Sequence, residues 1–258
     1  MEIESQFVRY AETIANLPED FASNAFLPIS LRMAGDHRHE IYYAPFDHIT
    51  RTARVVLVGI TPGRVQATAA LDVARRELRI GRTNEDVLAK AKTVASFAGP
   101  MRRNLIDLLD HVGVATRLGI YSTADLWTAQ QHLVHFTSAL RYPVFEQGKN
   151  FAGTGIGSSR LLAAEVDRWF AAECLSLPSA LYVPLGPAAL WACERQVVAG
   201  ALRATQILKG LPHPSGANAE RVAYFLGRKA RDLLSSKTRP EPLDAGRELA
   251  LRSVDGWS

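Results

Sequence analysis

The chain is 258 residues long, 47% hydrophobic and 22% charged, with 30 Lys and Arg against 26 Asp and Glu for a net charge of +4. That length and balance suit one large globular domain whose core needs neither a staple nor a metal. The two cysteines, Cys174 and Cys193, stand among small and apolar residues with no CxxC spacing, which excludes a four-cysteine metal or cluster site and fits buried thiols in a reducing compartment.

The N-terminal stretch is amphipathic and acidic, with neither a basic n-region nor an apolar h-region, and no run of about 18 apolar residues occurs. A secretory leader and a membrane span are therefore not expected, and the cytosol is. Residues 5–17 have helical spacing. A loop with Pro18, Pro28 and the polar run Gly35-Asp36-His37-Arg38-His39-Glu40 leads to Tyr42-Tyr43-Ala44-Pro45-Phe46-Asp47-His48, whose aromatics suit a core edge or a pocket wall. Residues 54–58, Arg-Val-Val-Leu-Val, run apolar and mostly β-branched after Arg54 and are read as a buried central strand, which Gly59-Ile60-Thr61-Pro62-Gly63 ends. Helices are predicted over 66–79, 84–95 and 101–112, the last with Leu105, Leu108, Leu109 and Val112 on one side and Gly113 as its C-cap.

A second strand is predicted over 132–137, then a Gly-rich loop over 149–159, a helix over 160–173 and a third strand over 180–185. Gly186-Pro187 starts a helix to about 197, and a fourth strand over 204–209 leads through Gly210 to the loop Pro212-His213-Pro214-Ser215-Gly216. A long helix follows over 218–235, and the tail from about 237, with Pro240 and Pro242, is expected to be loosely attached or to form one short closing helix. Four strands separated by helices predict an α/β fold, a three-layer α/β/α sandwich around a four-stranded parallel sheet, as a single domain over 1–258. Ligands bind such sheets beyond the C-terminal strand ends, where Thr61, Ser138, Gly186 and His213 fall. The site is therefore expected where the 59–63 and 212–216 loops meet.

Basic residues are uneven along the chain. Residues 72–103 hold eight (Arg75, Arg76, Arg79, Arg82, Lys90, Lys92, Arg102, Arg103) against four acidic ones, and residues 221–239 hold six against Asp232 alone. Such clusters suit a phosphate backbone or a solvated helix face. The 59–63 loop is Gly-rich but is neither a GxGxxG fingerprint nor a Walker A loop, so a nucleotide cofactor is not expected. His213 lies between two prolines, which stiffen the loop and suit a side chain needing a fixed hydrogen-bond direction. His37, His39 and His48, with Asp36 and Asp47, match no metal-ligand spacing, and no metal is expected.

The two loops, in this strand order, resemble motifs one and two of the uracil-DNA glycosylase superfamily over roughly residues 43–234. Gly59-Ile60-Thr61-Pro62-Gly63 is similar to the Gly-Ile-Asn-Pro-Gly form of the mismatch-specific branch, and His213-Pro214-Ser215 to the His-Pro-Ser loop. Ser96-Phe97-Ala98-Gly99 stands where the iron–sulfur branch has Pro-Phe-Val-Gly, Thr137-Ser138 stands where it has Thr-Asn, and Leu185-Gly186 resembles the Leu-Gly after the third strand. The cluster cysteines are missing, so the resemblance implies a cluster-free member without a cofactor.

The resemblance implies a monofunctional DNA glycosylase, a monomer that hydrolyses the N-glycosidic bond of a flipped uracil or modified pyrimidine in DNA, in repair or in defence against phage with modified bases. It gives His213 the donor role to the base's O2, Thr61 the attacking water, and Ile60 (through its backbone), Ser138 and Phe97 the base itself. Gly63, Gln66, Arg102, Ser215, Gly216 and Asn218 would meet the DNA. Thr61 and Ser138 depart from the family pattern, which carries Asp, Asn or a neighbouring Glu at the first and Asn at the second. A hydroxyl can hold water but supplies no carboxylate charge, so Asp47, on an exposed-looking loop, is the nearest candidate for a helping group. Serine in place of asparagine leaves room for a larger base. No lysine stands out as a Schiff-base nucleophile, and no lyase activity is expected. A catalytically impaired nucleic-acid-binding relative and a nucleoside hydrolase stay open as alternatives.

Overall fold

A computed structural model describes residues 6–24, 26–94 and 100–257. In chain order the elements are α1 (Phe7–Ala15), β1 (Arg32–Gly35), β2 (His39–Tyr42), β3 (Val55–Gly59), α2 (Arg64–Arg79), α3 (Asn84–Val94), α4 (Pro100–His111), α5 (Val114–Leu118) and β4 (Val134–Ser138). They continue with β5 (Val144–Glu146), β6 (Lys149–Asn150), α6 (Arg160–Glu165), α7 (Ala171–Ser176), β7 (Leu181–Pro184), α8 (Pro187–Val198), α9 (Ala219–Phe225) and α10 (Pro240–Asp255). The chain is thus mixed α/β, and among the described residues no helix is long and apolar enough to cross a membrane. Its contacts divide it into two units, one of residues 1–49, 59–96 and 136–176, the other of 50–58, 97–135 and 177–258.

The first unit is built on a small antiparallel sheet in the order β1-β2-β5-β6. The polar run 35–40 is the β1–β2 turn: the Asp36 carboxylate accepts the backbone N–H groups of Arg38 (2.8 Å) and His39 (2.7 Å). Buried Phe7, Tyr10 and Ile14 of α1 and Ala67, Ala70, Leu71 and Ala74 of α2 supply core, with Tyr10 stacked on Tyr43 at 4.4 Å. A single helical run passes from α6 through a π-turn over Val166–Phe170 into α7, burying Leu162, Val166, Trp169, Phe170 and Cys174.

The second unit holds Val55, Val56, Leu57 and Val58 of β3, all with no exposed surface, in parallel register with β7 from Val55↔Leu181 to Val58↔Pro184. The sheet containing this pair has the order β4-β3-β7, so among the described residues three strands stand where four were expected. The fourth is reduced to one parallel bridge, Tyr182↔Ile207, with the Leu208 N–H on the Tyr182 carbonyl at 2.8 Å. A 3₁₀ turn over Ala204–Gln206 takes the rest of that segment. Gln206 closes the turn, accepting from the Arg203 N–H and donating to the carbonyls of Pro178 and Ala180, each at 3.0 Å.

One further expectation fails in this unit, and another is met in one of its two forms. The helix over 218–235 stops at Phe225, because Gly227 turns the chain at φ +71°, and a 3₁₀ turn over Arg231–Leu233 follows. Of the two forms expected for the tail, it takes the closing helix, longer than expected: α10 is 16 residues long, starts on Pro240 and buries Gly246, Ala250 and Val254. Beyond it Trp257 is 3% exposed, with its indole N–H on the Ser179 carbonyl at 3.2 Å. Cys174 and Cys193 are both buried, as expected of structural thiols.

Candidate functional site

The 59–63 loop belongs to the first unit and the 212–216 loop to the second, and each is built by its own unit. In the first, the backbone N–H groups of Ala139 and Leu140 donate to the carbonyls of Gly59 and Ile60, both at 2.9 Å. Half-buried Ser138 is thereby held beside the loop. Thr61 donates its hydroxyl proton to the Tyr142 carbonyl (3.0 Å) and accepts the Val144 N–H (3.1 Å). That hydroxyl bridges two residues of the segment entering β5; of its three hydrogen-bonding positions, one lone pair remains for a water.

Gly63 and Gln66 serve the start of α2. The Gln66 carbonyl oxygen accepts the Gly63 N–H at 2.9 Å, while the Asn150 side chain accepts the Arg64 N–H at 3.0 Å. Two of the orphan donors at the helix start are thus satisfied from within the unit. A Cβ on Gly63 would lie 3.2 Å from the Asn150 amide, so the glycine makes room for this brace. Phe97 lies outside the described residues.

Asp47 is not on an exposed loop: it is 9% exposed. Its carboxylate accepts the hydroxyls of Tyr43 (2.8 Å) and Tyr142 (2.9 Å) and the Gln6 N–H (3.0 Å). Burial, and next the Asp47 charge, drive the titration of both phenols upward, so they stay protonated donors. Such an arrangement positions chain segments and leaves the carboxylate poorly placed to meet a substrate. Asp47→Ala is expected to lower stability by about 2–4 kcal/mol, since it strands two buried hydroxyls. Urea unfolding checks this; a change below about 0.5 kcal/mol would contradict the positioning role.

Three charged side chains of the first unit, Lys92, Arg141 and Glu173, are buried, which the sequence does not predict. Lys92 on α3 is buried, donates to the Phe46 carbonyl at 2.9 Å, and is drawn down to about 8 by burial. Arg141 and Glu173 form a buried ion pair at 2.6 Å, and the Thr137 hydroxyl donates to the second Glu173 oxygen at 2.5 Å. Among the described residues no group of three or more His, Cys, Asp or Glu side chains is placed to hold a metal ion.

In the second unit the His213 ring is fixed from one side. Its Nδ1 accepts the Ser215 N–H at 3.2 Å, so in the neutral ring the proton sits on Nε2 and that atom is a donor. Burial lowers the titration of His213, which favours this neutral form. Gly186 takes φ +100°, and a Cβ there would lie 3.2 Å from His213 Cδ2, so both backbone and space require glycine. Asn104 of α4, absent from the sequence prediction, donates to the Pro214 carbonyl at 2.9 Å and ties the loop to that helix.

The remaining residues of the loop brace one another. Asn218 donates to the Ser215 hydroxyl at 3.2 Å and accepts from the Arg221 guanidinium at 2.5 Å, while Gly216 is exposed at the start of a 3₁₀ turn. Arg102 lies over the Trp127 ring at 5.6 Å.

The basic clusters are largely engaged within the molecule. Arg75 and Arg76 pair with Asp72, Lys90 with Glu77, and Arg79 donates to the carbonyls of Ala15 and Leu17. Arg228 pairs with Asp107, Lys229 with Glu220, and Arg231 with Glu241. Charge counted along the sequence therefore overstates what is open to a ligand.

The chain is 37% identical over 224 residues to the uncharacterized protein YoxB of Bacillus subtilis, an alignment covering 85% of this chain and 88% of that protein. It belongs to the same family as YoxB. No protein-family model matches the chain, and no solved structure gives a significant match.

Proposed function

We propose that the protein is a monofunctional DNA glycosylase of the uracil-DNA glycosylase type, with an α/β/α fold, acting on uracil or a bulkier modified pyrimidine. The observation that carries the reading is the His213 ring: held by the Ser215 N–H on Nδ1 and kept neutral by burial, it offers a fixed Nε2–H donor. Such a donor stabilises negative charge growing on a base carbonyl oxygen as the glycosidic bond breaks, without itself being a strong acid. The Gly-Ile-Thr-Pro-Gly and His-Pro-Ser motifs support the same reading.

The test is base release from oligonucleotides carrying uracil, hypoxanthine, 5-hydroxymethylcytosine or its glucosylated form, scored as abasic sites. On whichever substrate is cleaved, His213→Ala is expected to slow single-turnover release by about 10²–10³-fold, as for loss of one preorganised donor. Cleavage at the wild-type rate by that variant would remove the proposal. Thr61 favours a second reading, a nucleic-acid-binding relative with little or no catalysis, because its hydroxyl already bridges Tyr142 and Val144. Binding without base release from any of these oligonucleotides would select that second reading.

A further inference from the structure

Away from both loops, the first unit carries a cleft of about 460 Å³ between the β1–β2 turn and the loop leading into α6. Its volume is that of a small-ligand site. Four side chains capable of positive charge line it: His37, Arg38, His39 and Arg160. Asp36 is the acidic group among its lining residues, and that carboxylate is directed at the turn's own donors. It accepts two backbone N–H groups and faces His39 Nδ1 with both oxygens at 3.2 Å. His39 is 5% exposed, so its ring is held by the turn. Facing the ionised Asp36, Nδ1 acts as the donor.

The opposite wall adds hydroxyls. Ser159 Oγ accepts the Leu162 N–H at 3.3 Å, which leaves its own proton to donate outward, and Thr154 adds a second hydroxyl. Arg38 is engaged by Glu146, donating to its carboxylate from Nε at 3.2 Å and from Nη2, which leaves Nη1 for a ligand. Arg160 is exposed on the lip. Donors therefore outnumber acceptors around a space of ligand size, the reverse of what a cation or a neutral sugar would need. Guanidinium forks and imidazoles match the geometry and charge of a phosphate group.

We infer that this cleft binds a phosphate-bearing ligand, with Arg160 and His37 as its principal contacts and the Asp36–His39 pair as its fixed floor. The ligand phosphate has two sources, a free phosphomonoester or a nucleic-acid strand, and the inference does not rest on base excision.

The test is titration calorimetry of the full chain with inorganic phosphate, thymidine monophosphate and thymidine, beside fluorescence anisotropy with a single-stranded oligonucleotide holding normal bases only. The variants are Arg160→Ala and the double variant Arg160→Ala, His37→Ala, both at exposed positions, with circular dichroism to show that they fold. Phosphate and the nucleotide are expected to bind, and thymidine is not. The double variant is expected to weaken binding by about 10-fold or more, as for loss of a charge-assisted fork. If free phosphate does not bind but the oligonucleotide is weakened by the same factor, the site takes a strand phosphate. If neither free ligand binds and oligonucleotide affinity is unchanged in the double variant, or if binding occurs and both variants leave it unchanged, the inference is overturned.

Discussion

Glu173→Ala is expected to destabilise the protein by about 3–5 kcal/mol, the usual result of removing one partner of a buried ion pair. Glu173 is 1% exposed and Arg141 3%. The carboxylate takes the Arg141 Nε–H at 2.6 Å and the Thr137 hydroxyl at 2.5 Å, while Arg141 also reaches the Trp169 carbonyl at 3.3 Å and lies over the Trp169 ring. Alanine would leave the guanidinium charged and buried without its counter-ion. It would also remove the stronger of two acidic neighbours, Glu173 and Asp47, that favour the ammonium of buried Lys92. Glu173→Gln should lose nearly as much, because an amide accepts the Thr137 proton but cannot neutralise Arg141. The diagnostic comparison is the double variant Glu173→Met, Arg141→Met, which should be more stable than Glu173→Ala because it leaves no uncompensated charge. Urea unfolding decides it: a loss under about 1 kcal/mol for Glu173→Ala would show that the charge finds water or another partner.

Glu173 also shows what the sequence could tell. The apolar stripe of its helical run passes through Leu162, Val166, Trp169, Phe170 and Cys174, all buried, and Glu173 falls on that stripe by spacing alone. Lys92 likewise follows Leu88 by four residues on the inner face of α3. Both signals were present, since a charge on an apolar stripe demands a partner, but the partner cannot be read locally. Arg141 is 32 residues from Glu173, and Phe46 is 46 from Lys92. The β3 strand was legible because its apolar run carries its own burial. Strands of two to four residues in the antiparallel sheet are too short to show a period of two, so the polar hairpin at 35–40 passed as loop. Prolines flanking His213 announced a stiff loop; the Asn104 contact that ties it to α4 spans 110 residues and leaves no trace in spacing.

Gly246→Ala should be as damaging as loss of the ion pair, although alanine is the better helix former by about 1 kcal/mol. Gly246 sits inside α10 where the helix crosses the Gly210 backbone. A Cβ added at Gly246 would lie 2.5 Å from the Gly210 carbonyl oxygen, and one at Gly210 would lie 2.2 Å from the Gly246 carbonyl oxygen. Neither obstacle is a flexible side-chain tip, so helix and loop must separate, at a cost of about 3 kcal/mol or more. Gly210→Ala should be worse still, because Gly210 also holds φ +94°, a conformation costing an alanine about 1–2 kcal/mol. Gly200 isolates the second effect: its φ is +78° with nothing within 4 Å of an added Cβ, so Gly200→Ala should show the backbone cost alone. The order of unfolding midpoints is therefore expected to be wild type, Gly200→Ala, Gly246→Ala, Gly210→Ala. Since Gly210 precedes His213 by three residues, separation there should also disturb the ring that the Ser215 N–H orients. A folded Gly246→Ala protein with a wild-type midpoint would show that α10 is loosely held after all, and that the contact with Gly210 does not set the course of the His213 loop.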